Sequence, residues 1–128
     1  MREFIFRGKR KDFDNEWLYG FYTLYNNNRG MKPTIITGTE ENCCILLEVI
    51  DETIGQFTGS YDVNGNKIFE HDIVKKVVND EELIGVVEYA DAAFGVRFAD
   101  GEGQFLCFFE NCCEIIGNVY DNPELIKM

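Results

Sequence analysis

The stretch of residues 56–75, QFTGSYDVNGNKIFEHDIVK, constrains the fold more than any other part of the chain. Its Asn64-Gly65 pair lies between segments of β-type residues, and a tight turn centred on such a pair needs positive φ angles at both residues. Asparagine and glycine accept such angles most readily. The stretch therefore predicts a β-hairpin, followed by an acidic joint, Glu70-His71-Asp72, that leads directly into a strand from Ile73.

Length and composition indicate a folded protein of modest size. The 128 residues allow one domain or two very small ones. Hydrophobic residues make up 45% of the chain and include 11 Phe and 6 Tyr, which excludes an intrinsically disordered protein. No apolar run in the sequence approaches the roughly 20 residues that cross a bilayer, and the N-terminus lacks the apolar segment of a signal peptide. We therefore expect a cytoplasmic protein that does not bind membranes.

The charge of the chain is one-sided. Asp and Glu number 23 against 12 Lys and Arg, which gives a net charge of -11. Such a surface repels phosphates, so nonspecific nucleic-acid binding is not expected. The basic residues are concentrated at one place in the sequence, where Arg7, Lys9, Arg10 and Lys11 are followed by the acidic residues Asp12 and Asp14. Residues 8–15 are predicted to form a loop with charges of both signs.

The five cysteines lack the spacing of a metal site. They occur as two adjacent pairs and one single residue: Cys43-Cys44, Cys107 and Cys112-Cys113. Zinc ligands are usually separated by two to four residues, whereas adjacent cysteines in a strand point to opposite faces. An odd count in a reducing compartment also argues against a disulfide framework. We therefore predict no metal ion and no other cofactor, with one cysteine of each pair buried.

The first half of the chain predicts β structure with an aromatic face. Trp17, Tyr19 and Phe21 occupy alternate positions beyond the predicted loop, so the first 25 residues fit a β-hairpin. Further β-type runs follow at residues 34–37 and 44–49. The segment 40–50 also fits a short helix, because acidic and amide residues precede its apolar run, and periodicity does not decide between the two.

Short strands separated by polar turns fill the second half. They are predicted at residues 57–63, 66–69, 73–78, 83–89, 94–99, 104–109 and 114–120. Asn122 and Pro123 fit the N-cap and first position of a terminal helical turn. The predicted fold class is mainly β with little helix: an N-terminal β-hairpin unit, residues 1–55, and a C-terminal small SH3-like or open β-barrel, residues 56–128. The two units are expected to pack closely, and a single domain is the alternative.

Several short motifs together resemble the YopX family of bacteriophage and prophage proteins. They follow the family's order along the whole chain: FRGKR at residues 6–10, EWLYG at 16–20, DETIGQFTG at 51–59, NGNKIFE at 64–70, DIV at 72–74 and IGNVYDNPEL at 116–125. Together they are far more specific than any one alone. The resemblance implies a β-rich fold. It transfers no catalytic, cofactor-binding or metal-binding residue, because no biochemical activity is established for the family.

One residue departs from the pattern of the family. His71 stands where the family usually has glycine, between Glu70 and Asp72. Glycine at a strand entry often marks a positive φ angle, and histidine is among the few other residue types enriched there. We therefore predict that His71 lies in an exposed turn with positive φ and has a structural role. The alternative is that this single histidine acts with its acidic neighbours as a base or metal ligand.

Two further patterns resemble known sites only in part. Asp12, Asp14 and Glu16 have carboxylates suited to a hard cation, but they lack the spacing and glycine of a calcium loop, so a solvated turn is expected. The glycines of the chain are not followed by the Lys-Ser/Thr pair of a phosphate-binding loop. The sequence therefore offers no catalytic, cofactor or metal site.

These features favour a noncatalytic phage or prophage accessory protein that binds a host or phage protein. Phe108 and Phe109 cannot both face one core in a regular strand, so one of them is expected to pack on a second domain, a terminal segment or another subunit. The last of these alternatives leads us to expect a homo-oligomer. The alternative is a nucleic-acid-related role, either specific binding or mimicry of DNA by an acidic surface. An enzyme with an unrecognised site is the remaining hypothesis, and the sequence contains no catalytic constellation that favours it.

Overall fold

Antiparallel β-strands make up most of the chain. The computed structural model describes residues 5–12, 16–26, 30–37, 45–90, 92–98, 103–105 and 112–126, and its strands form two sheets. The predicted mainly β fold class is confirmed. The chain divides into two compact units, Met1–Phe57 and Thr58–Met128. The predicted division into residues 1–55 and 56–128, with a single domain as its alternative, stays a prediction.

The first unit is a sheet in which most strands pair with their neighbours in sequence. They are β1 (Phe6–Lys9), β2 (Trp17–Asn26), β3 (Met31–Thr37), β4 (Ile45–Glu48) and the start of β5 (Gly55–Tyr61), in the order β4-β3-β2-β1-β5. β1 and β2 form the predicted hairpin, with Lys9 opposite Trp17. The loop predicted over residues 8–15 therefore starts too early: Gly8 and Lys9 lie in a strand because their backbone continues to pair with β2.

The segment for which both strand and helix were considered contains a strand. Ile45–Glu48 pairs with β3, with Leu46 opposite Ile36, and residues 40–44 lie outside the described residues. A short 3₁₀ helix, Asp51–Thr53, follows. The Thr53 hydroxyl donates to the Ile50 carbonyl at 2.6 Å and accepts the backbone N–H of Lys9 at 2.8 Å. These bonds fix the 3₁₀ helix against β1.

The core of the first unit lies on one face of its sheet. Leu18, Ile35 and Val49 are buried there, and the partly buried residues around them are Phe6, Tyr22, Leu47 and Ile54. Gly20 is required on β2 because a Cβ at that position would collide with the backbone oxygen of Ile36. The close approach of β2 and β3 therefore depends on this glycine.

The second unit contains a hairpin and an open sheet. Its strands are the end of β5, β6 (Lys67–Phe69), β7 (Asp72–Val78), β8 (Glu81–Ala90), β9 (Ala93–Phe98), β10 (Gly103–Phe105) and β11 (Glu114–Asn118). The last five form a sheet in the order β10-β9-β8-β7-β11, whereas β6 pairs with β5. Its core consists of Ile68, Val74, Val87, Val96 and Cys113, packed against Phe94, Phe98 and Ile115. Among the described residues no pairing closes this sheet into a barrel, and β10 and β11 are its edges.

The end of the described chain is a hydrogen-bonded turn. β11 ends at Asn118, two residues earlier than predicted, because the Asn118 side-chain oxygen accepts the backbone N–H groups of Tyr120 and Asp121 at 3.0 and 2.9 Å. The predicted helical turn is present as a 3₁₀ helix, Pro123–Ile126. The Asn122 side-chain oxygen accepts the backbone N–H of Asn118 at 3.3 Å. None of the helices within the described ranges has the length and apolar character needed to cross a bilayer.

Candidate interaction surface

His71 has the backbone conformation that its place in the sequence predicts. Its φ is 75°, so the predicted positive φ is confirmed. The predicted exposure is wrong: the residue is half-buried, because its ring packs edge-on against Tyr120 with 5.4 Å between ring centroids. Its backbone N–H donates to Val87 at 2.8 Å and its carbonyl accepts from Val119 at 3.0 Å. The residue thus links three parts of the second unit through its backbone.

The acidic neighbour Asp72 also serves the turn. Asp72 is buried, and its carboxylate accepts the backbone N–H of Phe69 at 2.8 Å. Within the residues that the structure describes, no group of three or more His, Cys, Asp or Glu side chains is arranged to hold a metal ion. The arrangement at Glu70-His71-Asp72 therefore favours the structural interpretation of His71.

A second buried carboxylate, Asp62, was not singled out by the sequence. One oxygen accepts the backbone N–H groups of Asn64 and Asn66 at 2.9 and 2.8 Å, and the other accepts that of Ile115 at 3.2 Å. Burial alone would raise its pKa, but the hydrogen bonds from Asn66, Ile115 and Asn64 outweigh that effect, and the pKa of Asp62 is lowered. The available signal was an aspartate two residues before the asparagine of an Asn-Gly pair.

Asp62 also explains the form of the predicted hairpin turn. The hairpin is present, but among its loop residues only Gly65 has a positive φ, 81°, and Asn64 does not. The backbone N–H of Gly65 donates to the Asp62 carbonyl at 3.1 Å, and Asp62 pairs with Asn66 across the loop. This is the longer type of hairpin loop, a turn followed by a glycine bulge. The expectation of positive φ at both Asn64 and Gly65 was therefore wrong for Asn64. The backbone N–H of Asn64 donates to the Asp62 carboxylate, and in this longer loop only the glycine has a positive φ.

The described cysteines behave as the adjacent pairing predicts. Cys113 is buried in the core of the second unit and Cys112 is exposed, and neither forms a disulfide. Burial raises the pKa of the Cys113 thiol to about 11. Cys43, Cys44 and Cys107 lie outside the described residues. Cys113 is therefore an apolar core residue and not a nucleophile.

The basic run of the sequence is engaged in contacts within the first unit. Arg7 is buried with its guanidinium 4.8 Å from the centre of the Trp17 ring, and the Lys9 ammonium lies 5.8 Å from the same ring. Two ion pairs also involve this run: Arg10 with Glu16 at 3.2 Å and Lys11 with Glu48 at 2.8 Å. Glu16 is thus an ion-pair partner, while Asp14 of the same candidate cation site lies outside the described residues. Phosphate-binding capacity along this run is correspondingly reduced.

The face of the first sheet opposite its core carries exposed apolar side chains. Alternation in β2 directs Leu18 and Tyr22 to the core, so Trp17, Tyr19 and Phe21 point the other way. Phe21 lies opposite Ile36 on β3, which lies opposite Leu46 on β4. Phe21 is 66% exposed and Leu46 is 41% exposed. We call this the outer face: Arg7, Lys9, Trp17, Tyr19, Phe21, Ile36, Leu46 and the neighbouring Lys32.

The outer face combines apolar and cationic groups. Its three-strand row of Phe21, Ile36 and Leu46 is continuous, with Tyr19 also exposed beside it. Sequence alternation identified the aromatic residues of this face, but it did not show that they point away from the core. Phe108 and Phe109, the aromatic pair that suggested oligomerisation, lie outside the described residues.

Solved structures of two bacterial proteins resemble this fold. The crystal structure of protein EF1440 from Enterococcus faecalis matches with a TM-score of 0.58 and 25% identity, and covers 99% of this chain and 100% of its own. The crystal structure of protein YopX from Bacillus subtilis matches with a TM-score of 0.58 and 21% identity, over 100% of this chain and 98% of its own. No curated protein matches the sequence significantly.

The family comparison agrees with the motifs spread along the chain. The family model described as YopX protein matches residues 5–127. This match includes the Asn64-Gly65 hairpin, the turn at His71 and the Asn118–Asn122 turn. The chain belongs to the YopX family.

Proposed function

We propose that this protein is a noncatalytic interaction module that contacts another protein through the outer face of its first sheet. The observation that carries the proposal is the row of Phe21, Ile36 and Leu46, which crosses three strands on the face opposite the core. Single exposed apolar residues are common, whereas a contiguous patch with a polar rim marks an interaction site. Aromatic side chains held on a sheet are suited to this role because they offer large contact area at little entropic cost.

The roles of the buried titratable groups support a noncatalytic protein. Asp62 and Asp72 accept backbone hydrogen bonds, and Cys113 packs in an apolar core. Each of these three side chains therefore has a structural role that accounts for its burial. Membership of the YopX family supports a role as a phage or prophage accessory protein, and the free thiols of Cys112 and Cys113 agree with action in a host cytoplasm.

A nucleic-acid-related role is the second candidate. The observation that favours it is the position of Trp17 and Tyr19 beside Arg7 and Lys9, because aromatic platforms with cations bind single strands. The burial of Arg7 and the net charge of -11 weigh against it. The acidic surface would suit mimicry of DNA, in which case the partner is a DNA-binding protein.

The experiment compares affinity capture by three forms of the tagged chain in a lysogenic host. Phe21→Thr/Leu46→Thr removes the apolar row and keeps residues that favour strands. Val63→Thr is the matched control, because Val63 is exposed in the second unit. We expect one stoichiometric protein with the wild type and the control, and at least tenfold less with the double variant. Equal recovery by all three forms would contradict the proposal, and recovery of nucleic acid alone would favour the second candidate.

A further inference from the structure

We propose that Asn64 is a site of spontaneous covalent modification, where the side-chain amide is lost through a cyclic intermediate at a rate that Asp62 controls. Asn64 and Gly65 form the single Asn-Gly pair of the sequence, and both residues are exposed. Among the described residues, nothing lies within 4 Å of the position that a Cβ of Gly65 would take. The loop therefore has room for a ring to form, and the proposal is independent of the outer face.

The reaction joins the backbone nitrogen of Gly65 to the side-chain carbon Cγ of Asn64. Hydroxide removes the proton of the Gly65 nitrogen, which then attacks Cγ. The N–Cγ bond forms, the Cγ–Nδ2 bond breaks, and the amide leaves as ammonia with a proton taken from water. Water then opens the cyclic succinimide at either of its carbonyl groups, giving aspartate or isoaspartate. Glycine favours the attack because it has no side chain to obstruct the approach of its nitrogen.

Asp62 holds the peptide groups on both sides of Asn64. Its carboxylate accepts the backbone N–H of Asn64 at 2.9 Å, and its backbone carbonyl accepts that of Gly65 at 3.1 Å. Ring closure requires rotation about the Asn64 Cα–C bond, because a turn closed in this way directs the Gly65 nitrogen toward the Asp62 carbonyl. The native loop therefore slows the reaction, and local opening of the loop permits it.

The Asn64 side chain is less restrained than that of Asn66. Within the part of the chain that the structure describes, the Asn64 amide group has no hydrogen-bond partner, whereas the Asn66 amide donates to the Asp62 carboxylate at 3.5 Å. Asn66 is also followed by Lys67, whose side chain obstructs the attacking nitrogen. Asn122 is followed by proline, which has no N–H to lose. Asn64 is therefore the favoured position among these asparagines.

Isoaspartate at position 64 would disrupt the bonds that Asp62 makes. In this product the main chain passes through the former side-chain carbon, so the added backbone atom displaces Gly65 from the Asp62 carbonyl. A new carboxylate also appears close to that of Asp62, and like charges repel. Because the Asp62 carboxylate accepts the backbone N–H of Ile115 at 3.2 Å, the modification should loosen the hairpin from β11. We expect the modified chain to be less stable than the unmodified one.

The test incubates the full chain at pH 8 and follows residue 64 by peptide mapping and mass spectrometry. A synthetic peptide of residues 60–67, SYDVNGNK, is the unstructured reference. We expect amide loss at Asn64 in both, at least about tenfold more slowly in the folded chain. Ion-exchange chromatography separates the product by its additional negative charge, and urea denaturation then compares the stability of the two forms. Asn64→Gln is the chemical control, because its longer side chain closes a ring less readily.

Asp62→Ala tests the restraint on the loop. The ratio of the peptide rate to the full-chain rate should fall at least about fivefold, when the peptide carries the same substitution as the chain. Val87→Ala is the matched control, because it removes volume from the core of the second unit and leaves the loop intact. Its ratio should stay within about twofold of the wild type while the chain remains folded. Circular dichroism verifies folding of each variant.

The wild type alone also distinguishes local from global opening. Its rate should depend only weakly on urea below the unfolding transition, because opening of one loop exposes little surface. Amide loss that is undetectable in the folded chain would overturn the proposal, as would a folded chain that reacts as fast as the peptide. Equal acceleration by Asp62→Ala and Val87→Ala, or a steep dependence on urea, would assign the reaction to global unfolding and remove the role of Asp62.

Discussion

The carboxylate of Asp62 accepts the backbone N–H of Ile115 at 3.2 Å although 53 residues separate them in the sequence. The same carboxylate bonds the hairpin loop through Asn64 and Asn66. One buried side chain therefore fixes the β5–β6 hairpin and joins it to β11. Because a carboxylate in this position satisfies three backbone donors, its replacement should destabilise the second unit more than most single changes do.

We expect Asp62→Asn to reduce the free energy of unfolding by about 2 kcal/mol, and Asp62→Ala by about 3 kcal/mol. Asparagine keeps the oxygen that bonds the loop, but its amide group would meet the Ile115 N–H donor to donor. Urea denaturation at pH 7 measures both variants, with Glu124→Gln as the control because Glu124 is exposed. Equal stability of Asp62→Asn and the control would show that the bond to Ile115 contributes little.

The lowered pKa of Asp62 gives the protein a defined pH dependence. Because the folded-state pKa is below the ordinary value of 3.8, ionisation of Asp62 stabilises the fold at neutral pH. This contribution is lost as the pH falls from the ordinary value through the folded-state value. The difference in unfolding free energy between the wild type and Asp62→Asn should therefore shrink between pH 6 and pH 2.5. A difference that stays constant over that range would contradict the assignment.

The positive φ of His71 leads us to expect that glycine at this position is tolerated better than valine. At a φ of 75°, glycine adopts the backbone conformation without strain, so His71→Gly should change stability by less than about 1 kcal/mol, with loss of the Tyr120 ring contact as its cost. His71→Val should destabilise by about 2 kcal/mol, because a β-branched residue resists the left-handed region. Thermal denaturation with both variants measures the order. A valine variant as stable as the glycine variant would remove the backbone explanation.

These cases show which features local sequence determines. The hairpin around Asn64-Gly65 follows from short-range preferences, whereas the positive φ of His71 was predictable because the family usually has glycine at that position. The hydrogen bond from Ile115 to Asp62 and the packing of His71 on Tyr120 join distant segments, so no local pattern indicates them. The outer face was partly predictable: alternation grouped Trp17, Tyr19 and Phe21, but which face meets the core depends on strands that are distant in sequence.

Gly20 should be intolerant of even the smallest side chain. Gly20→Ala would place its Cβ against the backbone oxygen of Ile36, and backbone atoms cannot move away as a side chain can. We expect a loss of about 3 kcal/mol, at the upper end for overpacking. Thr23→Ala on the same strand is the control, and urea denaturation followed by Trp17 fluorescence reports on the first unit. A loss below about 1 kcal/mol would show that β2 and β3 separate easily at this position.

The adjacent cysteines of the second unit should react at very different rates. Cys112 is exposed, whereas Cys113 is buried with its pKa raised to about 11, so little of it is thiolate at pH 8. In a Cys43→Ser/Cys44→Ser/Cys107→Ser background, a disulfide reagent should label one thiol per native chain rapidly. The second should react at least about a hundredfold more slowly, and at a normal rate in denaturant. Removal of the fast phase by Cys112→Ser identifies its source. Rapid labelling of both thiols in the native protein would mean that the core around Cys113 opens readily.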